Sequence, residues 1–163
     1  MPHPFPLTRE QSIVSPMEFK AKIKPGLESK VGWLKSRSNE TLGHTMGMVY
    51  EELDTERVVA TIPVDPRTRQ PFGLLHGGAS VALAESLASV GGWLNVDETK
   101  FDVVGIEINA NHVRGVRDGL VRGIAQPIHR GRSTQVWEIK ISNEAGDLVC
   151  VSRCTLAVVA KRS

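Results

Sequence analysis

A single carboxylate, Glu85, stands in an otherwise uncharged stretch of the chain. From Gly77 to Val96 the sequence consists mainly of Ala, Gly, Ser, Val and Leu, and Glu85 is its only ionisable side chain. A stretch that is apolar on every side predicts a helix buried in a core. A carboxylate there is costly unless it is paired, hydrated or placed where a substrate arrives. Glu85 is therefore a candidate nucleophile or general base.

The residues His76, Gly77 and Gly78 come where this helix is expected to begin. The first N–H groups of a helix lack intrahelical partners and lie at the positive end of the helix dipole. Glycine also lets a ligand approach the backbone closely. The Gly77 N–H and the nearby Gln70 side chain are therefore candidates to polarise a carbonyl group. About two helical turns separate Gly77 from Glu85, so both can act on one substrate, from the same or a neighbouring subunit.

Other polar side chains accompany these groups. Ser89 follows Glu85 by four residues, so it lies on the same helix face and can hold a water or the carboxylate. Ser86 is a second candidate, although serine is also common where a helix packs closely on a sheet. His76 contacts substrate or only caps the helix. His112 lies on the apolar side of a predicted strand, where a histidine is often a satisfied core residue.

The rest of the chain changes to a period of two, which predicts strands. Met48 to Leu53 and Arg57 to Val64 flank a polar turn and predict a hairpin. Four further segments follow the helix, and their short connections predict antiparallel pairing. They are Val103 to Arg114, Leu120 to Pro127, Thr134 to Ser142 and Leu148 to Ala160. One long helix with about six antiparallel strands predicts an α+β domain whose sheet wraps around the helix.

Alternation along the first of these segments predicts its two faces. One face carries Glu107, Asn109 and Asn111. The face toward the core is predicted to carry Val104, Ile106, Ile108, Ala110 and His112.

The two cysteines, Cys150 and Cys154, lie four residues apart in the last predicted strand. They share a face but are too far apart along it for an easy disulfide. Two buried free thiols are predicted, and a metal site is not expected.

The first residues are predicted to form an N-terminal arm with short helical segments over residues 1–36, before a domain over residues 37–163. Met1 to Pro16 is rich in proline and has no period. From Ser15 to Lys35 a weak helical pattern is interrupted by Pro25. Met1 to Leu7 lacks the charged and apolar regions of a secretion signal, which predicts a cytoplasmic protein.

The composition is that of one globular domain, with 40% hydrophobic and 23% charged residues in a chain of 163, long enough to bury a core. A net charge of +2 gives no argument for a nucleic acid or membrane partner. The sequence has no Gly-x-Ser-x-Gly elbow, P-loop or dinucleotide fingerprint, which disfavours serine hydrolases and nucleotide-dependent enzymes. Five arginines between Val113 and Ser133 face one acid, Asp118, and form either a solvated face or a docking strip for a phosphorylated carrier.

The run from Gln70 to Ser89, the segment Val104 to His112 and the later Gln135-Val136-Trp137 resemble the hotdog-fold acyl-CoA thioesterases. The resembled branch holds 4-hydroxybenzoyl-CoA thioesterase, the phenylacetate-pathway thioesterases and 1,4-dihydroxy-2-naphthoyl-CoA hydrolase. The resemblance spans residues 41–160. It implies the hotdog fold and hydrolysis of an aromatic or bulky acyl-CoA, with CoA as part of the substrate and no further cofactor. It also implies a homodimer or a tetramer with active sites between subunits.

The resemblance also assigns roles. The residue that matches Glu85 is the catalytic carboxylate, and those that match Gln70, His76 and Gly77 hold or polarise the thioester carbonyl. The residue that matches Ser89 helps to position water. On the substrate side, the resemblance places His112 near the acyl pocket and Arg114, His129, Gly131, Arg132 and Ser133 on the CoA side, where the last four suit a phosphate-holding loop between strands.

Two rival functions remain at this point. A hydratase of the same fold would be expected to carry an Asp and His pair, and no Asp lies near Glu85. A non-catalytic acyl-CoA sensor would be expected to lack the carboxylate and to carry a DNA-binding segment. Glu85 favours the thioesterase over both.

Overall fold

The structure is a computed structural model that describes residues 17–161. One sheet contains all seven strands of this part, in the order β1-β2-β3-β5-β6-β7-β4. β1 is parallel to β2, and every other neighbouring pair is antiparallel. The elements are β1 (Phe19–Ile23), α1 (Glu28–Arg37), α2 (Leu42–Thr45), β2 (Val49–Leu53), β3 (Val58–Pro63), α3 (Gly77–Leu94), β4 (Phe101–His112), β5 (Leu120–Arg130), β6 (Thr134–Asn143) and β7 (Leu148–Ala160).

The long helix α3 packs against strands β3 to β7, as its apolar sequence predicts. Leu83 and Leu87 are fully buried, and so are Ala84 and Ala88 beside them. Burial of each leucine contributes about 1.5–3 kcal/mol. The α+β architecture with a buried central helix is confirmed, with seven strands where about six are predicted.

The strands after α3 follow their predicted alternation, with one exception. In β6, the side chains of Gln135, Trp137, Ile139 and Ile141 are buried, as their phase indicates. In β4, a bulge between Gly105 and Glu107 inserts an extra residue opposite β7. The predicted core positions of Val104 and Ile106 are therefore wrong, since their side chains are 51% and 62% exposed.

Beyond the bulge the predicted alternation of β4 is recovered at Ile108 and Ala110, but the predicted core-facing position of His112 is wrong, since this residue at the strand end is exposed. Ile108 and Ala110 pack against the core. Before the bulge, Val103 takes the inward position that the sequence pattern gives to its neighbour. A single inserted residue is enough to exchange the two faces of a strand.

The N-terminal part differs from its prediction in one element. The pattern around Phe19 and Ile23 predicts helix, but these residues form β1, which extends the sheet beside β2. The second helical run is confirmed as α1. The segment Met1 to Pro16 lies outside the described residues, and the boundary after residue 36 stays a prediction.

Cys150 and Cys154 are buried and unbridged, as predicted. Within residues 17–161, no helix is both long and apolar enough to cross a membrane. The cytoplasmic location stays a prediction.

Candidate active site

The start of α3 is capped by the residue before it. His76 has φ −70° and ψ 130°, so the chain enters the helix from an extended conformation. Its Nδ1 accepts a hydrogen bond of 2.8 Å from the Gly78 N–H. The helix carbonyl ladder offers the Gly77 N–H no partner, since Gly77 is the first helical residue. Of the two roles considered for His76, the structure shows the cap.

A cavity of about 350 Å³ opens at this helix start. It brings together four of the predicted site residues, Gln70, Gly77, His112 and Arg114. Its walls combine apolar side chains with the few polar groups that can orient a ligand. The lining residues are Gln70, Leu74, Leu75, Gly77, Ser80, His112, Val113, Arg114, Gly115 and Val149.

His112 reaches the helix start from the end of β4. A Cβ on Gly77 would lie 2.9 Å from Nε2 of His112 and 3.2 Å from Cδ2. The distance of 2.9 Å is shorter than real Cβ contacts, so any side chain at residue 77 requires the imidazole to move.

Gln70 is held by the loop that precedes α3. Its N–H donates to the Leu74 carbonyl at 2.8 Å, and its own carbonyl accepts from the Gly73 N–H at 2.9 Å. Gly73 has φ 78°, a conformation that favours glycine. The side-chain Oε1 accepts from the Phe72 N–H. This bond orients the amide, whose NH₂ group can donate to a ligand.

Glu85 lies two turns further along α3, outside the lining of this cavity. Its carboxylate rests on the two strands β4 and β7. Oε2 accepts from Sγ of Cys154 at 3.7 Å, and Oε1 lies against the backbone of Gly105. Burial, together with the charge of Glu85, raises the pKa of Cys154 to about 12.

Two serines follow Glu85 on the helix. The Ser86 hydroxyl donates to the Ala82 carbonyl at 2.7 Å, which is a bond within α3. Ser89 is half-buried one turn beyond Glu85. The bond of Ser86 agrees with the packing interpretation of that residue.

The arginines between Val113 and Ser133 do not form one strip. Arg114 lines the cavity and lies 3.7 Å from a carboxylate oxygen of Asp147. Arg122 pairs with Glu51 at 2.6 Å on β2. Arg114 and Arg122 thus belong to separate local ion pairs, and Arg117 donates to the Phe72 carbonyl at 3.4 Å.

Arg130 belongs to the opposite end of α3. Its guanidinium donates to Glu56 at 2.6 and 3.0 Å and to Asn95 Oδ1 at 2.9 Å, where Asn95 is the C-cap of α3. This network fixes the β5–β6 hairpin against the β2–β3 turn.

The predicted phosphate loop lies around Arg130, so it also lies at the C-terminal end of α3, but its first residues, His129 and Arg130, belong to strand β5. The Gly131 N–H donates to the Thr134 carbonyl at 2.8 Å, and the His129 imidazole lies against Gly131. Arg132 and Ser133 are exposed. The structure thus places His129 to Ser133 and the cavity at Gly77 at opposite ends of the helix within one chain.

Strand β4 is an edge of the sheet and pairs only with β7 among the described strands. Val104 and Ile106 are exposed near its middle. A twelve-residue edge with exposed aliphatic side chains is the kind of edge that pairs with another chain.

Sequence reasoning missed Cys154 and Gly105 as neighbours of Glu85. The alternation of β7 predicts that Cys154 faces inward, but no sequence pattern indicates which helix residue it meets.

A long helix packed on an antiparallel sheet is the architecture of the hotdog-fold thioesterases. Residues 72–150 match the family model described as the thioesterase superfamily. Two relatives support the match. The 1,4-dihydroxy-2-naphthoyl-CoA hydrolase of Escherichia coli is 56% identical over 68% of this chain and 80% of its own. The proofreading thioesterase EntH of Cronobacter sakazakii is 49% identical over 77% of this chain and 91% of its own.

Comparison with solved structures supports the same family. Two variants of one Staphylococcus aureus protein, a thioesterase, have TM-scores of 0.73 and 0.70 at 44% identity. The matches cover 74% and 72% of this chain and 100% and 97% of theirs. One variant replaces a glutamate by alanine and the other a glutamine, at positions fifteen residues apart. The present chain belongs to the thioesterase superfamily, and it is a thioester hydrolase.

Proposed function

We propose that the protein hydrolyses an acyl-CoA at a site in which Glu85 is the catalytic carboxylate. The observation that carries the proposal is the convergence of Gln70, Gly77 and His112 on one cavity at the start of α3. A thioester carbonyl placed there accepts from the Gly77 N–H and the Gln70 NH₂. Both donors lie where negative charge develops on the oxygen as the carbonyl carbon is attacked.

Two routes are open to Glu85, and both balance without a further reactant. As a general base it takes a proton from water while the water oxygen attacks the carbonyl carbon and CoA leaves as the thiolate. As a nucleophile it forms a mixed anhydride and releases CoA thiolate, and water then cleaves the anhydride to the free acid. Label from water that appears in the Glu85 carboxylate after a single turnover identifies the second route, because it enters only when water attacks the glutamyl carbon of the anhydride.

The active site is proposed to lie between two subunits. In one chain, Glu85 is outside the lining of the cavity that holds Gln70 and Gly77, and its carboxylate rests against the edge strand β4. The same edge exposes Val104 and Ile106. Pairing of β4 with its copy covers these side chains and brings Glu85 of one subunit toward the helix start of the other. A homodimer, alone or within a tetramer, is the proposed functional unit.

The spacing of the replaced residues in the Staphylococcus aureus protein supports this assignment. Its glutamine and glutamate are fifteen positions apart, and so are Gln70 and Glu85 in this chain. Equal spacing across a loop and two helical turns is expected if the two pairs correspond.

The acyl group is proposed to be aromatic or similarly bulky. The cavity walls are apolar at Leu74, Leu75, Val113 and Val149. The Escherichia coli relative is named for an aromatic acyl-CoA. Arg114 and the His129 to Ser133 loop are proposed for the CoA phosphates, the loop acting on substrate bound at the neighbouring subunit's helix start because it lies at the far end of α3.

The test is thiol release from a panel of acyl-CoAs with aromatic, short and long aliphatic acyl groups. Turnover that is highest for an aromatic member supports the proposal. Turnover confined to aliphatic members would contradict the proposed acyl class. Binding of acyl-CoA without thiol release from any member would contradict hydrolysis and support a binding module.

A further inference from the structure

The carboxylate of Glu85 is bounded by two residues whose side chains carry no charge. Cys154 on β7 is fully buried, and its Sγ is 3.7 Å from Oε2 of Glu85. Gly105 on β4 lies under the other oxygen, Oε1, so closely that a Cβ on Gly105 would collide with it. The Cys154 thiol and the backbone of Gly105 thus form a seat for the Glu85 carboxylate.

The bulge in β4 creates this seat. Gly105 is opposite Leu156, and Ile108 is opposite Cys154, because the register shifts between Gly105 and Glu107. The shift reflects one extra residue in β4 between Gly105 and Ile108. Bulges re-aim side chains near active sites, and here the bulge presents a residue without a side chain to the carboxylate.

The Cys154 thiol is protonated and can therefore donate a hydrogen bond. Burial and the neighbouring carboxylate raise the pKa of Cys154 to about 12, so the thiol keeps its proton near neutral pH. A protonated thiol has one S–H to donate, and Oε2 is the acceptor that the geometry offers.

We propose that Cys154 is a positioning residue for Glu85, holding Oε2 so that Oε1, at the edge strand, is the oxygen that reacts. This inference rests on the proposed role of Glu85 as the catalytic carboxylate. Gly105 completes the seat by leaving room for Oε1. Cys154 contacts neither substrate nor water in this role and acts only through Glu85.

The kinetic test compares Cys154→Ala and Cys154→Ser with Cys150→Ala. Cys150 is the matched control, a buried thiol on the same strand whose neighbours do not include the Glu85 carboxylate among the described residues. Cys154→Ala is expected to lower kcat about tenfold with little change in KM, since orientation of a reacting group affects the chemical step. Cys154→Ser keeps a donor and is expected to retain most of the lost kcat, whereas Cys150→Ala keeps the kcat of the wild type.

A spectroscopic test does not depend on turnover. In the Cys150→Ala background, the only thiol is Cys154. Its S–H stretching band is expected at lower frequency with Glu85 present than in Glu85→Ala, because a hydrogen bond weakens the S–H bond. An S–H band at the same frequency in both proteins would show that Cys154 does not donate a hydrogen bond to Glu85.

Failure of this inference is distinguishable from failure of the proposed function. If Glu85→Ala abolishes turnover but Cys154→Ala leaves kcat unchanged, the positioning role is overturned and the proposed function stands. Equal losses in Cys154→Ala and Cys154→Ser would assign the effect to packing and also overturn it. If Glu85→Ala keeps the activity of the wild type, both proposals fall.

Discussion

His112 lies directly against the backbone of Gly77, with its Nε2 only 2.9 Å from the place that a Cβ on Gly77 would occupy. A residue from the end of β4 and the first residue of α3 therefore define one wall of the cavity together. With the imidazole in this position, a Cβ at residue 77 would clash with it, which favours glycine as the first residue of α3.

Gly77→Ala is expected to displace the His112 imidazole and to lower kcat/KM about 100-fold. The reason is that a displacement of about 1 Å in a group near the reacting carbonyl can lower the rate by that factor. The measurement is steady-state thiol release with the best acyl-CoA of the panel. The control is Gly32→Ala in α1, where a Cβ meets nothing within 4 Å. Activity of Gly77→Ala equal to that of the control would contradict the role of this wall.

The proposed division of the site between subunits predicts complementation. Gln70→Ala and Glu85→Ala are each expected to lose activity, the first by roughly 100-fold through loss of a carbonyl donor. Refolding the two variants together forms hybrid dimers in which one site has both wild-type residues. Activity is then expected to recover to about one quarter of the wild-type value for random pairing in a two-fold dimer. No recovery in mixtures shown to contain hybrids would place the complete site within one chain.

Alkaline pH is expected to destabilise the protein through its buried acids. The pKa of Cys154 is raised from 9.0 to about 12 and that of Tyr50 is also raised by burial. Each group is protonated in both states below its unfolded pKa, so its contribution to stability is complete there. As pH rises from 9 toward 12, the unfolded chain releases the thiol proton first, and the free energy of unfolding falls by up to about 1.4 kcal/mol per pH unit for this group.

The measurement is urea unfolding of the wild type and Cys154→Ala at pH 8 and pH 10. Cys154→Ala is expected to lose less stability between the two pH values than the wild type, whatever its stability at pH 8. The same pH dependence in both proteins would show that the thiol does not remain protonated in the folded state.

Lys30 ties the N-terminal helix to the end of α3. Its Nζ donates to the carbonyls of Trp93 and Val96 at 3.2 and 2.5 Å and pairs with Glu98 at 2.8 Å. Lys30→Met is expected to lower the free energy of unfolding by about 1–2 kcal/mol, since it removes a cation from the C-terminal carbonyls of a helix. Lys35→Met, at an exposed position of the same helix, is the control. An equal loss in both variants would show that the bonds of Lys30 add nothing to stability.

The sequence predicts well those parts of the fold in which local period and burial agree. α3 is recognisable because only one charge interrupts its apolar residues, and β6 is recognisable because Gln135 and Trp137 share a phase with two isoleucines. The phase of β4 fails at Ile106 because a bulge leaves no trace in an alternating apolar pattern. β1 fails because five residues are too few to separate the two periods.

The candidate site is likewise predictable from the sequence only in part. The positions of Gln70, Gly77 and Glu85 along the chain are visible in the sequence because helix starts and lone carboxylates have recognisable chemistry. The contact of Glu85 with Cys154 joins residues 69 positions apart and depends on the register of β7 against β4. Neither that register nor the closeness of His112 to Gly77 follows from any local pattern.

The most direct measurement is kcat of Glu85→Gln with the best acyl-CoA of the panel. Glutamine keeps the size of the side chain but removes its basicity and most of its nucleophilicity. The expected result is a fall in kcat of at least about 100-fold, while Glu138→Gln on β6 stays near the wild-type value. A Glu85→Gln variant that turns over like the wild type would contradict the assignment of Glu85 as the catalytic carboxylate.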